Sequence, residues 1–346
     1  MKALPFQVAG ITVAPGDRRT IDLPSPGLYT HTQMRMPIQV VHGKRPGPVV
    51  FVSAAVHGDE INGVEIIRRL LRVPALNKLR GTLLAVPIVN VFGFEQRSRY
   101  LPDRRDLNRF MPGSEHGSLA SRVSNLFFDE IVRRSDVGID LHTAAIHRDN
   151  LPQLRVNLDD PILRPLAEAF GTPVLLHSGY LDGSLRYAAS QEHIPVIVYE
   201  AGEALRFDEV AIRIGVRGII QVFRQLGMLP MIRHKAKPAA ILRSSTWVRA
   251  GQSGILRTLA PMGAAVSAGD VLGVIADPFG ENESNVEAPV NGVIIGRANL
   301  PLVMEGEALF HIGRTKKADA VGEHLDEVQA TIEPPFSEGN HEPPIV

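Results

Sequence analysis

The run Val49-Val50-Phe51-Val52-Ser53-Ala54-Ala55-Val56 leads without a break into His57-Gly58-Asp59-Glu60. Its length and its content of branched side chains are those of a buried strand. The tetrapeptide then sits at the strand's carboxyl end, where open α/β sheets place their ligand sites. An imidazole and a carboxylate three residues apart can share one divalent ion. A distant second histidine would complete the His₂Glu set of a hydrolytic zinc site. The stretch Val137-Gly138-Ile139-Asp140-Leu141-His142-Thr143 supplies one at the end of another apolar run. His57, Glu60 and His142 are therefore candidate metal ligands, and three protein ligands leave a fourth position for water. The competing view keeps both histidines ordinary and has Glu60 complement the dipole of the helix it precedes.

Composition bounds the problem. A chain of 346 residues can bury a large core, as one large or two medium domains. Lys plus Arg and Asp plus Glu both total 37, so no basic excess points to nucleic acid or to an anionic membrane. Cysteine is absent, which excludes disulfides, thiol nucleophiles and thiolate ligands. Any metal must then use nitrogen and oxygen. The N-terminus has no apolar signal core and no stretch is long enough to span a bilayer, so a cytoplasmic enzyme is expected.

Residues 1 to 47 are rich in Pro, Gly and Thr and read as an antiparallel lead-in to a sheet. From Pro48 the pattern alternates. Strands are expected over Val49–Val56, Thr82–Asn90, Val137–His142, Val174–Leu176 and Val196–Glu200. Helices are expected over Gly63–Arg72, Ser118–Arg134, Pro161–Phe170 and Phe207–Leu226. The fold class is α/β, with a mixed, mostly parallel sheet flanked by helices. After Met231 a connector with Lys235, Lys237 and Pro238 precedes a Gly-punctuated, helix-free stretch. This stretch repeats itself: Ser253–Leu256 with Val266–Leu272 is echoed by Asn291–Ile294 with Val303–Leu309. Two copies of one hairpin unit predict a small β-barrel or sandwich of pseudo-twofold design. The expected division is 1–231, 232–313 and a polar, acidic, loosely ordered tail over 314–346.

Water on a metal needs a proton acceptor. Glu200 ends the apolar strand Val196-Ile197-Val198-Tyr199 and is the candidate base; the alternative makes Glu200 and Glu203 carboxylates flanking a glycine turn. Asp59 and Asp140 stand beside the two histidines, and either can accept an imidazole N–H or simply cap a turn. Residues 97–109 hold five arginines, which read either as a solvated basic loop or as carboxylate and oxyanion partners beside the metal.

In this order His57-Gly58-Asp59-Glu60, Asn90 with Gly93-Phe94, Arg99-Tyr100, Asp106-Leu107-Asn108-Arg109, Asp140-Leu141-His142-Thr143 and Glu200-Ala201-Gly202 form a specific set. It resembles the succinylglutamate desuccinylase/aspartoacylase family of zinc carboxypeptidase-like hydrolases over about residues 30 to 230. The resemblance implies one Zn²⁺ per subunit on His57, Glu60 and His142, with Glu200 activating water. It also implies that Arg99, in preference to Arg97, polarises the scissile carbonyl, and that Asn108 and Arg109 hold a substrate carboxylate. Arg155, Tyr180, Arg186 and Tyr187 are candidates for a further substrate-side arginine and tyrosine. The stretch Glu287-Ala288-Pro289-Val290-Asn291-Gly292-Val293-Ile294 resembles a biotinyl/lipoyl domain. No lysine occurs between Lys237 and Lys316, however, which argues against a covalent carrier role and for a part in shaping the pocket mouth or an oligomer contact.

The expected function is a zinc-dependent amidohydrolase that deacylates a small N-acyl amino acid or related amine. The expected partner is that small molecule, with no nucleic acid or membrane, and a homo-oligomer is left open. The rivals are a metallocarboxypeptidase acting on short peptides and a noncatalytic metal-binding interaction protein.

Overall fold

The structure, a computed structural model, describes residues 2–232 and 239–315. The connector lysines Lys235 and Lys237, Pro238, and the tail from residue 316 onward lie outside the described residues. The lead-in folds as two antiparallel hairpins. In the first, β1 (Phe6–Val8) and β2 (Ile11–Val13) form a separate ribbon; in the second, β3 (Arg18–Pro24) and β4 (Arg35–His42) open the main sheet. Then follow β5 (Arg45–Ala54), α1 (Asn62–Leu70), β6 (Arg80–Val86), α2 (Val91–Glu95), α3 (Leu119–Glu130), β7 (Val137–Ala144) and β8 (Arg148–Val156). They are continued by α4 (Leu163–Phe170), β9 (Val174–His177), α5 (Leu185–Gln191), β10 (Val196–Glu203) and α6 (Glu209–Gln225). Every strand and helix expected from apolar periodicity is present, with shifted ends. The strand β8 and the short helices α2 and α5 were not expected; Pro152 and several polar side chains hide the alternation of β8.

The sheet order β3-β4-β6-β5-β7-β10-β8 puts β7 inside the sheet between β5 and β10, buried along its whole length. Parallel pairing joins β6, β5, β7 and β10, while β4 and β8 flank them antiparallel. Only residues 145–147 separate β7 from β8, and so short a connection reverses the chain. The sheet is therefore mixed, with a smaller parallel share than the sequence led one to expect. Side chains of β5 alternate between two cores. Val50 and Val52 meet Ile66, Leu70 and Phe223 on one face, and Phe51 meets Phe127 edge-on across 6.0 Å on the other.

The C-terminal region is all strand: β11 (Ala240–Leu242), β12 (Ser245–Arg249), β13 (Gly254–Thr258), β14 (Ala265–Val266), β15 (Val271–Ala276), β16 (Glu283–Glu287), β17 (Gly292–Ala298), β18 (Leu302–Val303) and β19 (Ala308–Gly313). The sequence repeat is visible as reciprocal exchange: β14 of the first unit pairs with β17 of the second, and β18 of the second with β13 of the first. The region is not set apart as a closed barrel. Strands β16-β15-β13-β18 form their own sheet over a core that includes Leu256, Ile275 and Phe310, but β12, β19 and β17 extend the main sheet through β8. Strand β8 forks: Arg148–Asn150 pair with β17, and Gln153–Val156 with β9, which in turn carries β11. Among the described residues no helix is long and apolar enough to cross a membrane.

Candidate active site

Strand β5 ends at Ala54, and the chain turns through Ala55, which has a left-handed φ of 49°. His57, Gly58 and Glu60 follow in the turn before α1. Gly58 lies flat on the Gly93 backbone, where a Cβ would come within 2.0 Å of the Gly93 carbonyl carbon. Glycine is needed there to let the loop close. It leaves Glu60 only 2% exposed, beneath the end of β7.

Glu60 joins the two histidines. Its Oε1 lies 2.7 Å from His57 Nδ1 and its Oε2 2.8 Å from His142 Nδ1; the Thr143 amide also donates to Oε2 across 3.1 Å. The outer nitrogens are held by other carboxylates, His57 Nε2 at 3.1 Å from Asp106 and His142 Nε2 at 2.7 Å from Asp140. Ser53 donates to the second oxygen of Asp140 across 2.7 Å. Asp140 thus serves His142, whereas the partner of His57 is Asp106 and not the adjacent Asp59. Asp59 is buried and its pKa is raised, by burial first and then by Glu60.

The electrostatics favour positive charge at the centre. Burial pushes both imidazoles toward neutrality, but Glu60 and Asp106 raise the His57 pKa above its ordinary value, and Asp140 with Glu60 raise that of His142 well above. Burial alone would raise Glu60, yet the two histidines hold it well below the usual carboxylate range. One donor atom each from His57, Glu60 and His142 lie within 4.8 Å of one another, and all three residues are buried. Nitrogen and oxygen donors, a focus that draws positive charge and carboxylates behind both rings together fit a zinc-type ion.

These side chains floor a cavity of about 320 Å³. Glu200 enters it from β10, where it is the register partner of His142 on β7. Its oxygens are taken by Arg155 Nε at 2.9 Å and by Asn150 Nδ2, which donates across 2.8 Å. A register shift follows directly, and Gly202 in it adopts a φ of +78° that L side chains rarely take. Arg99 donates from Nη1 to Glu60 across 3.2 Å and from Nη2 to Asp106 across 3.0 Å. Arg97, its competitor in the sequence, is exposed and does not line the cavity.

Asn108 and Arg109 both line it; Asn108 Oδ1 accepts from the Leu185 amide (2.8 Å), and Arg109 donates to the Asn108 carbonyl (2.6 Å). Of the four further candidates, Arg155 and Arg186 reach the cavity while Tyr180 and Tyr187 do not. Sequence reasoning missed Asp106 as a histidine partner, although it stood in a quoted motif, and missed Asn150, Arg148 and Trp247 altogether. Five arginines line the cavity against the three carboxylates of Glu60, Asp140 and Glu200.

A family model described as the succinylglutamate desuccinylase/aspartoacylase catalytic domain matches residues 46–226, which carry all of the metal-site and cavity residues above except Trp247. The chain belongs to the succinylglutamate desuccinylase/aspartoacylase family. A relative in Halomonas elongata, named N-alpha-acetyl-L-2,4-diaminobutyric acid deacetylase, is 25% identical over 276 residues, covering 76% of this chain and 80% of the relative. The product-bound structure of the ectoine utilization protein EutE (DoeB) from Ruegeria pomeroyi superposes with a TM-score of 0.78 at 21% identity. That match covers 87% of this chain and 98% of the other. A succinylglutamate desuccinylase/aspartoacylase structure from Rhodobacter sphaeroides gives 0.75 at 24% identity, covering 86% and 95%. At these identities the structures show a shared fold, and it extends well beyond the segment that the family model matches.

Proposed function

We propose that this family member is a metal-dependent deacylase that hydrolyses the amide bond of a small N-acyl amino acid. What carries this reading is the convergence of His57, Glu60 and His142 on one point, with Glu200 beside them in the same cavity. The three converging residues would hold the metal, zinc by the donor set, one ion per chain. When bound there, zinc supplies a Lewis acid and lowers the pKa of water at its open position.

The side chains do the rest. Arg99 sits against Glu60, where its guanidinium can also meet the carbonyl oxygen as charge develops on it. Glu200 accepts the proton of the attacking water and returns it to the departing amine. Arg155 and Asn150 hold its carboxylate in place for these transfers. Asn108 and Arg109 hold the carboxylate of the amino-acid part and fix the amide's position. The excess of arginine over carboxylate around the cavity matches an anionic ligand.

A cavity of about 320 Å³ stands at the small end of ligand pockets and suits a single N-acyl amino acid better than a peptide. The Halomonas relative is named for removing an acetyl group from an α-amine, the same class of bond. A screen of N-acetyl, N-succinyl and longer N-acyl amino acids beside short peptides, with and without a chelator, tests the proposal. Release of free amino acid that stops on chelation and returns with zinc is expected; hydrolysis of peptides alone would replace the deacylase by a carboxypeptidase.

A further inference from the structure

Strand β10 lies between β7 and β8 in the sheet, yet β7 runs directly into β8. Ala144 of β7 is the register partner of Glu203, and Asn150 of β8 that of Gly202. The chain between them therefore steps over the end of β10, across two strand spacings or about 9–10 Å. This arch is tightly turned. The Arg148 amide donates to the Ala145 carbonyl across 3.1 Å, and His147 takes a left-handed φ of 64°. Glu203, the last residue of β10, stands beneath it with its side chain 12% exposed. Its Oε1 accepts from the His147 amide across 2.9 Å, and its Oε2 from Asn299 Nδ2 across 3.0 Å. Asn299 directly follows β17, and its own amide donates to the His147 carbonyl across 2.8 Å. One carboxylate thus ties together the strand that carries Glu200, the arch and the C-terminal region.

Both feet of the arch stand in the site. One follows His142 along β7, and the other is Asn150, whose Nδ2 donates to Glu200 across 2.8 Å. Backbone pairing is weakest at this point, because β10 shifts register just past Glu200 against both of its neighbours. We propose that Glu203 is a positioning residue: it pins the arch to the end of β10 and so holds Asn150, and through it Glu200, in line with the metal site. The residue type fits the task. A carboxylate offers acceptors alone, and both of its partners here are N–H donors. The Asn299 oxygen is engaged elsewhere, accepting from Arg297 Nε across 3.3 Å, which leaves its Nδ2 to Glu203. Arg206, 3.4 Å from Oε2, is 74% exposed and adds little. Neither Glu203 nor Asn299 lines the cavity, so the C-terminal region acts on the base from outside it. The catalytic consequence rests on the deacylase reading, whereas the clamp itself does not.

Glu203→Ala, Glu203→Gln and Asn299→Ala are made in the full chain. Hydrolysis of an N-acyl amino acid and zinc content are measured, and hydrogen exchange is followed over residues 145–150 and 197–203. Glu203→Ala is expected to lower kcat by about 10- to 100-fold, the scale for reacting groups displaced from outside the site, with KM and zinc content unchanged. Glu203→Gln keeps one acceptor and is expected to recover part of kcat. Asn299 is exposed, so Asn299→Ala keeps the test open should Glu203→Ala fail to fold, and a smaller loss of kcat is expected there. In an Asn150→Ala background Glu203→Ala is expected to cost much less than in the native chain, because the contact it acts through is already gone. Faster exchange of the arch and of the β10 end should accompany each loss. Unchanged kcat, a change in KM or zinc content alone, or a fully additive cost in the Asn150→Ala background overturns the positioning role. If the native protein hydrolyses no N-acyl amino acid, the deacylase reading falls. Exchange then decides the clamp by itself, and unchanged exchange in Glu203→Ala overturns it.

Discussion

Glu200 and His142 are register partners on the adjacent parallel strands β10 and β7, so backbone pairing at the centre of the sheet sets the proposed base beside a proposed metal ligand. No loop has to order itself to bring the two together. Replacing Glu200 with Gln removes the proton acceptor but keeps the shape of the side chain and its contact with Asn150. The expected outcome is full zinc content with turnover lowered by roughly 10²–10⁴-fold. Parallel metal analysis and rate measurement check this, and unchanged turnover would rule Glu200 out as the base.

Asp106 holds the outer nitrogen of His57 and, through Arg99, is tied back to Glu60. Asp106→Asn keeps the shape and loses the charge. Zinc affinity is expected to fall by about 10–100-fold, as for carboxylates behind other metal-bound histidines. Competition with a chelator measures it. Asp59→Asn serves as the control and should leave affinity within a few fold, since Asp59 does not take the outer nitrogen of His57.

Gly58 offers a mechanical test. A methyl group there meets the Gly93 backbone, which has no flexible end to move aside. Gly58→Ala is expected to cost about 1–3 kcal/mol or more by overpacking and to displace His57. Urea unfolding reads the first effect and zinc content the second.

How much of this was legible in the sequence follows from where each residue stands. His57, His142 and Glu200 each close a run of branched apolar residues, and such runs announce buried strands whose carboxyl ends meet. Asp106 was harder to place. Asp59 is the nearer neighbour of His57 in sequence, and only the fold of the 97–109 loop over the site brings Asp106 to the ring. Strand β8 was invisible because Pro152 interrupts it, and with it went Asn150 and the entry of Arg148 into the sheet. Trp247 lies more than a hundred residues past His142 in a region that reads as a separate β unit. Its place in the cavity depends on long-range pairing of β17 with β8, which no local pattern reports.

His311 of β19, buried against the Trp247 ring with centres 4.5 Å apart and tied to Ser245 through Nε2 at 2.8 Å, predicts a pH effect. Its folded-state pKa of about 4 lies below the ordinary histidine value near 6.5, so between the two the unfolded chain binds more protons. Stability therefore rises with pH across that window and is lost as pH falls from about 6.5 to about 4, by up to about 3 kcal/mol from this group. His311→Gln, which retains a partner for Ser245, is expected to flatten that part of the profile. Urea titrations of both proteins between about pH 7 and about pH 4.5, without added metal, would show equal slopes if His311 were not held neutral.

The central claim is that His57, Glu60 and His142 close on one cation. Crystals grown with zinc, with data collected on either side of the zinc absorption edge, locate the ion directly. One anomalous peak per chain is expected, within about 2.0–2.2 Å of His57 Nδ1, His142 Nδ1 and a Glu60 oxygen. A peak bound elsewhere, or the three side chains turned apart in metal-loaded protein, would contradict the assignment and the hydrolase reading built on it.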